Sequence, residues 1–251
     1  MTDPLLLLLL ASLIVCLAAT AQAMTGFGFA LVLVPLLSVL YDPRIVVMVS
    51  LSLGMVSRLP LLAQSWRQVE LIRIAPLCLT SIVGSVGGTQ LLLRVDGSAL
   101  RLGIGLVVIA LAGLLLLEKR RPARREGLAA LAAGLVSGAL NGATAMGGPP
   151  VVLLGVNQAW GKENFRANLL AYFLVSQGGG VALLVLAGAF TPAVLELDAK
   201  LLPGLVAGLA LGSVLFKVVP ADRFRRLVVL LVIATGLLSV WTGGTSLLRF
   251  R

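Results

Sequence analysis

Long apolar runs, separated by short polar segments, extend along the whole chain. Runs of this length with few internal charges are typical of helices that span a lipid bilayer, because about 20 residues cross its hydrocarbon core. The pattern therefore predicts an all-α polytopic membrane protein with about eight hydrophobic segments. These segments are residues 4–40, 45–64, 71–93, 99–117, 127–160, 167–190, 201–219 and 227–247.

Two of these runs, 4–40 and 127–160, are too long for a single straight crossing. Each is interrupted by a Gly-rich polar stretch, AQAMTGFGFA at 21–30 in the first and NGATAMGGPP at 141–150 in the second. Glycine supplies backbone freedom at a break, and the proline pair of the second stretch suits the first turn of a restarting helix. We therefore expect both runs to break. Non-helical backbone at membrane depth is stable only when it is buried in protein or lines a wet cavity.

The two halves of the chain are related by internal repetition. When the sequence is shifted by 119 positions, polar residues and glycines of the first half fall on similar residues of the second. Their order and spacing predict a duplication, with a basic cytoplasmic linker at 119–126 between the repeats 1–118 and 127–251. The matched pairs include Gln22 with Asn141, Thr25 with Thr144, Gly28 with Gly147 and Arg58 with Gln177.

The distribution of Lys and Arg distinguishes two topologies. If all eight runs cross the membrane, ten basic residues lie on one side and nine on the other, which is no bias. If the first run of each half is a re-entrant hairpin, thirteen lie in the cytoplasm, including those of 158–166, and six outside. The second count obeys the positive-inside rule and makes the halves inverted repeats of three full crossings each, as in many secondary transporters. It favours the re-entrant arrangement and leaves eight simple crossings open.

The N-terminal segment has a second interpretation. Residues 1–23 end in Ala-x-Ala after an apolar core, which resembles a secretory signal peptide. However, no Lys or Arg precedes the core, Asp3 stands there instead, and the segment has a counterpart in the second half of the chain. We therefore expect it to be retained.

Composition and charge exclude several classes of function. The chain is 59% hydrophobic and 12% charged, whereas about a quarter of the residues in soluble domains are charged. Its net charge of +10 is spread between apolar runs and forms no patch with aromatic residues, so we expect no nucleic-acid binding. The sequence has no histidine, and no Asp or Glu lies deep in an apolar run. We therefore predict no enzyme, no metal site, no cofactor and no proton-coupling carboxylate.

Two Gly-rich segments that lead into apolar helices with proline stand at corresponding places, MTGFGFALVLVPLL at 24–37 and NGATAMGGPPVVLL at 141–154. With the chain length and the charged central loop, they resemble the sulfite exporter TauE/SafE family, also called the 4-toluene sulfonate uptake permeases. The family's usual pattern has a denser run of glycines in each copy. The resemblance implies an inner-membrane permease for a small sulfur-containing anion such as sulfite or a sulfonate, in contact with the lipid bilayer. An anion channel, a non-transporting membrane assembly protein and a homodimer remain open alternatives.

The two breaks also predict where an anion would bind. If helices restart after Gly28 and Gly148, two helix N-termini with free N–H groups face each other. Arg58 is the only basic residue well inside an apolar run, where a guanidinium can hold an oxyanion through two hydrogen bonds. Alternatively, the polar groups only satisfy the broken backbone, and Arg58 extends towards the cytoplasmic end of its helix. The predicted substrate-binding residues are Gln22, Thr25, Gly26, Gly28, Arg58, Asn141, Thr144, Gly147, Gly148 and Gln177.

Other glycines recur at a spacing of four residues, which places them on one face of a helix. Small residues in this pattern let two helix backbones approach closely inside a membrane. We therefore expect helix-packing faces at three places. They are Gly84 with Gly88, Gly134 with Gly138 and Gly142, and Gly204 with Gly208 and Gly212.

Overall fold

The computed structural model describes residues 4–116 and 126–218, and every regular element in these two ranges is helical. The all-α prediction is therefore confirmed for this part of the chain. Segment 227–247 and nearly all of the linker 119–126 lie outside the described residues. The helices are α1 (Pro4–Thr25), α2 (Phe29–Leu37), α3 (Pro43–Ser65), a short 3-10 helix (Trp66–Gln68), α4 (Leu71–Arg94), α5 (Gly97–Leu116), α6 (Glu126–Thr144), α7 (Gly148–Asn157), α8 (Lys162–Leu186) and α9 (Pro192–Val218).

Six of these helices are long and apolar enough to cross a membrane, namely α1, α3, α4, α6, α8 and α9. Large apolar side chains cover their outer faces, which suits contact with lipid tails. The chain is therefore a multi-pass membrane protein. The short helices α2 and α7, of 9 and 10 residues, reach only about 15 Å at 1.5 Å per residue, which is half of the hydrocarbon core.

Both over-long apolar runs are broken at the predicted stretches. Helix α1 ends at Thr25 and α2 begins at Phe29, whereas α6 ends at Thr144 and α7 begins at Gly148. Corresponding boundaries in the two halves are 119 positions apart, and the starts of α3 and α8 differ by the same interval. The repeat seen in the sequence is thus also present in the helix boundaries.

Two pairs of long helices pack at backbone contact distance through the predicted glycine faces. Helix α4 lies along α6, and α9 lies along α1. A Cβ atom added at Gly84 or Gly88 would overlap carbonyl oxygens of α6, and one added at Gly208 would overlap the carbonyl of Cys16. In both pairs the contacting residue numbers rise together, so the paired helices are parallel. All three predicted packing faces are confirmed.

Helices α3 and α8 cross at the centre of the molecule and run antiparallel. Leu51 of α3 lies against Gly180 of α8, whereas Arg58 lies against Phe173 and Gln177. Rising residue numbers in α3 therefore meet falling numbers in α8. Arg58 and Gln177 are matched by the 119-residue shift, so two residues related by the repeat contact each other.

The polar segment TPAVLELDAK at 191–200 is helical and is not a separator, because α9 already begins at Pro192. Its side chains divide between two faces. Glu196 and Lys200, one turn apart, form an exposed ion pair, whereas Asp198 accepts a hydrogen bond from Ser52 of α3 at 2.6 Å. Ser52 lies near the middle of α3. The prediction that no Asp or Glu lies deep in a span is therefore wrong.

The contact between α4 and α6 can be tested with neighbouring glycines. We expect Gly88→Ala to destabilise the protein by about 1–3 kcal/mol, because its Cβ would overlap the Ala139 carbonyl oxygen of α6. Gly87→Ala is the matched control, since a Cβ at Gly87 meets nothing within 4 Å. Thermal unfolding in detergent measures both variants. Equal melting temperatures for the two would contradict the packing described for α4 and α6.

Candidate functional site

The two helix breaks share a left-handed residue at the same position of the repeat. Gly26 has a φ of 82°, and Ala145, which stands 119 positions later, has a φ of 61°. Each residue still donates its N–H to the carbonyl four residues earlier, at 2.7 and 2.8 Å, before the chain leaves the helix. A left-handed residue costs about 1–2 kcal/mol when it carries a side chain. Ala145 therefore has a strained conformation that surrounding contacts have to stabilise.

Thr25 and Thr144 satisfy the backbone at these breaks. The hydroxyl oxygen of each accepts the N–H of the residue two positions later, at 3.3 Å in both halves. Each hydroxyl also donates to the carbonyl four residues earlier, at 2.8 and 2.7 Å. These hydroxyls therefore satisfy the broken backbone, which is the alternative to a role in anion binding.

A small pocket lies between the two breaks. Its cavity volume is about 10 Å³, which is close to the minimum that holds a single water molecule. Four of the predicted residues line it, namely Gly28, Arg58, Gly148 and Gln177. The other lining residues are Phe27, Ala30, Leu31, Ala145, Met146 and Phe173.

Arg58 is the central side chain of this pocket. It is 3% exposed, and its Nη1 donates to the carbonyl of Gly54 and, at 2.5 Å, to Oε1 of Gln177. Its guanidinium carbon lies 5.2 Å from the centre of the Phe173 ring. The side chain therefore stays inside the helix bundle and does not extend towards the end of α3.

The charge of Arg58 is not neutralised by the protein that surrounds it. Within residues 4–116 and 126–218 it forms no ion pair, and its Nε is buried without a hydrogen-bond acceptor. A buried charge without a counter-ion costs several kcal/mol, and a cation–π contact offsets about 2 kcal/mol of that. An anion in the pocket would supply the missing charge and the missing acceptor.

The two helix N-termini beside the pocket are chemically unequal. In α2, Val32 makes the first intrahelical bond, to Gly28 at 3.1 Å, so the N–H groups of 29–31 have no acceptor in the helix. In α7, the Pro149–Pro150 pair occupies the first turn and has no N–H. Donors in the backbone therefore come mainly from α2, whereas α7 contributes its dipole and the N–H of Gly148.

The predicted amides Gln22 and Asn141 form a second layer beneath the pocket. Gln22 Nε2 donates to Ser57 Oγ at 2.7 Å, and Asn141 Nδ2 donates to the carbonyl of Ser176 at 3.2 Å. Both amides are fully buried, and each keeps an oxygen without a partner. The two serines were not predicted, although the 119-residue shift relates them and each precedes a pocket residue. The amides link α1 to α3 and α6 to α8.

Gly26 and Gly147 serve helix packing and do not line the pocket. Gly26 lies against the side chain and backbone of Arg166, whose Nη2 donates to the carbonyl of Ala23 at 2.9 Å. A Cβ added at Gly147 would overlap the carbonyl oxygen of Ser137. Bulk added at Gly147 would therefore displace α6 and would not enter the pocket.

The sequence matches the family described as Sulfite exporter TauE/SafE over residues 11–239, which is most of the chain. It belongs to this family. Comparison with curated proteins found no match, and comparison with solved structures found none. TauE/SafE proteins are membrane transporters for sulfur-containing anions, so this chain is a membrane transporter. Membership does not favour a channel or an assembly protein.

Neighbouring glycines of this TauE/SafE protein separate packing from pocket lining. We expect Gly147→Ala to lower stability by about 1–3 kcal/mol through overlap with Ser137. Gly148→Ala should leave stability unchanged, because its Cβ would make ordinary contacts of 3.8 Å with Phe27 and 3.9 Å with Phe173. Size-exclusion profiles and melting temperatures in detergent report both. Destabilisation of similar size in the two variants would contradict this assignment.

Proposed function

We propose that this transporter carries a small sulfur oxyanion, such as sulfite or a sulfonate, across the cell inner membrane through the pocket between the two helix breaks. The observation that carries the proposal is Arg58, a buried cation in a pocket that two restarting helices also face, with no acidic partner among residues 4–116 and 126–218. Oxyanions of sulfur present several acceptor oxygens on one centre, which suits the planar fork of a guanidinium. In this conformation the pocket holds little more than one water molecule, so it has to widen when the anion enters.

The predicted site residues take different parts in this proposal. Arg58 supplies the positive charge, and Gln177 orients it through the hydrogen bond between their side chains. Gly28 and Gly148 let the substrate approach the backbone, because no Cβ stands between it and the helix N-termini. The remaining residues shape the site from behind and are not proposed to contact the anion. They are Gln22, Thr25, Gly26, Asn141, Thr144 and Gly147.

We also propose that the halves 1–118 and 127–251 are inverted repeats. Three contacts support this arrangement: α3 and α8 are repeat partners that run antiparallel, and the parallel pairs α1–α9 and α4–α6 each combine one helix from each half. A two-fold axis in the membrane plane relates halves of this kind and passes close to Arg58 and Gln177. The anion would then bind near the midplane, where alternating access can expose it to either side.

The role of Arg58 can be tested by binding of sulfite, sulfoacetate and 4-toluenesulfonate to the purified protein. We expect Arg58→Gln to weaken binding by about ten- to a hundredfold, since a charged hydrogen bond contributes about 1.5–3 kcal/mol. Arg58→Lys should also weaken it, because an ammonium cannot replace the two-pronged contact. Titration calorimetry gives the affinities.

Arg67→Lys is the matched control, because Arg67 is exposed and its guanidinium stacks over Trp66 outside the pocket. Its affinity should equal that of the wild type. Unchanged affinity in Arg58→Gln, with a normal melting temperature, would show that the anion binds elsewhere.

Topology can be tested by labelling cysteines in a chain that carries Cys16→Ala and Cys78→Ala. The re-entrant arrangement places 158–166 in the cytoplasm and the turn between α8 and α9, residues 187–191, outside. Lys162→Cys should therefore react with an impermeant maleimide only after the cells are permeabilised. Thr191→Cys, at an exposed position of that turn, should react in intact cells. The reverse labelling pattern would contradict the re-entrant topology.

A further inference from the structure

Asp198 of α9 is a carboxylate inside a helix that can cross the membrane. Its Oδ2 accepts a hydrogen bond from Ser52 of α3 at 2.6 Å, and its Oδ1 is buried without a hydrogen-bond partner. The proposed anion site does not use this side chain. Acidic residues inside membrane spans are rare and commonly mark paths for ions or protons.

The depth of Asp198 follows from the crossing of α3 and α8. Subtracting 119 from a residue number of α8 gives the matching position of α3. In this numbering, the contact of Leu51 with Gly180 joins positions 51 and 61, and the contact of Arg58 with Phe173 joins positions 58 and 54. The midpoint of each pair is position 56, so the two helices cross there. Ser52 is four residues away, about 6 Å at 1.5 Å per residue, whereas half of the hydrocarbon core is about 15 Å thick. Asp198 therefore lies within the hydrocarbon layer.

The charged groups of the helices around Asp198 are engaged elsewhere. On α3, Arg44 donates to the carbonyl of Val95, and Arg58 donates to Gln177. On α9 itself, Glu196 and Lys200 pair with each other at the surface, and Lys217 stands at the opposite end of the helix from Asp198. The titratable group of the neighbouring α1 is the thiol of Cys16, a residue whose backbone carbonyl packs against Gly208. Within the part of the chain that the structure describes, Asp198 thus forms no ion pair.

Arg58 and Asp198 each require a counter-charge, and the two counter-charges have opposite signs. Among the residues that the structure describes, Arg58 is a buried cation without an anion and Asp198 is a carboxylate at membrane depth without a cation. An uncompensated charge opposes movement through a layer of low dielectric constant. A bound oxyanion would neutralise the first group, and a bound proton would neutralise the second.

We propose that Asp198 binds the proton that this transporter moves together with its anion. This inference rests on the proposed function, because the anion site supplies the opposite charge. In each cycle a proton from water on one side binds Oδ1, the neutral acid persists while the loaded carrier changes its access, and the proton leaves to water on the other side. The carboxylate is then regenerated. Only the transporter that has bound both the anion and the proton has both charges neutralised, so anion and proton move in the same direction.

Proteoliposomes with a pH-sensitive dye inside test this inference, with protein-free vesicles as the blank. Sulfite, sulfoacetate and 4-toluenesulfonate are offered separately under an inwardly directed proton gradient. The wild-type protein should accumulate at least one of them above its external concentration and acidify the interior. Asp198→Asn should lose the accumulation and the acidification, yet still exchange internal for external anion.

Two control variants distinguish a loss of proton coupling from damage to the structure. Asp198→Glu keeps a titratable carboxylate and should retain proton-driven accumulation. Glu196→Gln removes an exposed carboxylate of the same helix and should behave as the wild type. Coupling that persists in Asp198→Asn would overturn the assignment, and so would its loss in both Asp198→Asn and Glu196→Gln.

The failure of this inference differs from that of the proposed function. If the wild-type protein carries one of the three anions without proton movement, or with protons moving the opposite way, the role of Asp198 is overturned and the anion transport stands. If it carries none of the three, the proposed function is overturned together with the inference.

Discussion

The structure depends on satisfying the backbone groups that are freed where α1 and α6 end in the interior of the helix bundle. Water is not available there, so each group needs a partner from the protein. Thr25 and Thr144 cap the turns, Arg166 donates to the carbonyl of Ala23, and Ser137 donates to that of Gly147. Once these groups are satisfied, the remaining N–H donors belong to the first turn of α2 beside the pocket. The same arrangement of residues therefore satisfies the broken backbone and forms the site.

The pocket is asymmetric in two ways, although matching segments of the two halves form it. The repeat places Arg58 opposite Gln177, so one wall carries a charge and the other a neutral amide. It also places the N–H groups of α2 opposite the proline pair of α7, so one helix donates and the other contributes mainly its dipole. A duplicated chain can therefore present a one-sided site, which suits a ligand that carries its charge at one end.

Much of this framework could be predicted from the sequence because it depends on local chemistry. The breaks follow from run length and glycine, the close helix pairs follow from small residues at four-residue spacing, and the correspondence of halves follows from the 119-residue shift. The individual roles could not be predicted. Thr25 has one hydroxyl proton, and only the positions of nearby carbonyls decide whether it serves the backbone or a ligand. Asp198 was missed because Glu196 and Lys200 make its segment resemble a loop, whereas they form a pair on one face of a helix.

The pairing of α1 with α9 has a consequence for biosynthesis. Thr20 donates a hydrogen bond to the carbonyl of Gly208, which lies 188 positions later in the chain. A ribosome that adds about 5–20 residues per second needs roughly 10–40 s to synthesise that interval. During that time α1 is in the membrane without the glycine face that will receive it. Helix α1 is thus in the membrane well before α9 is synthesised, and its own apolar surface has to keep it in lipid until the two helices pair.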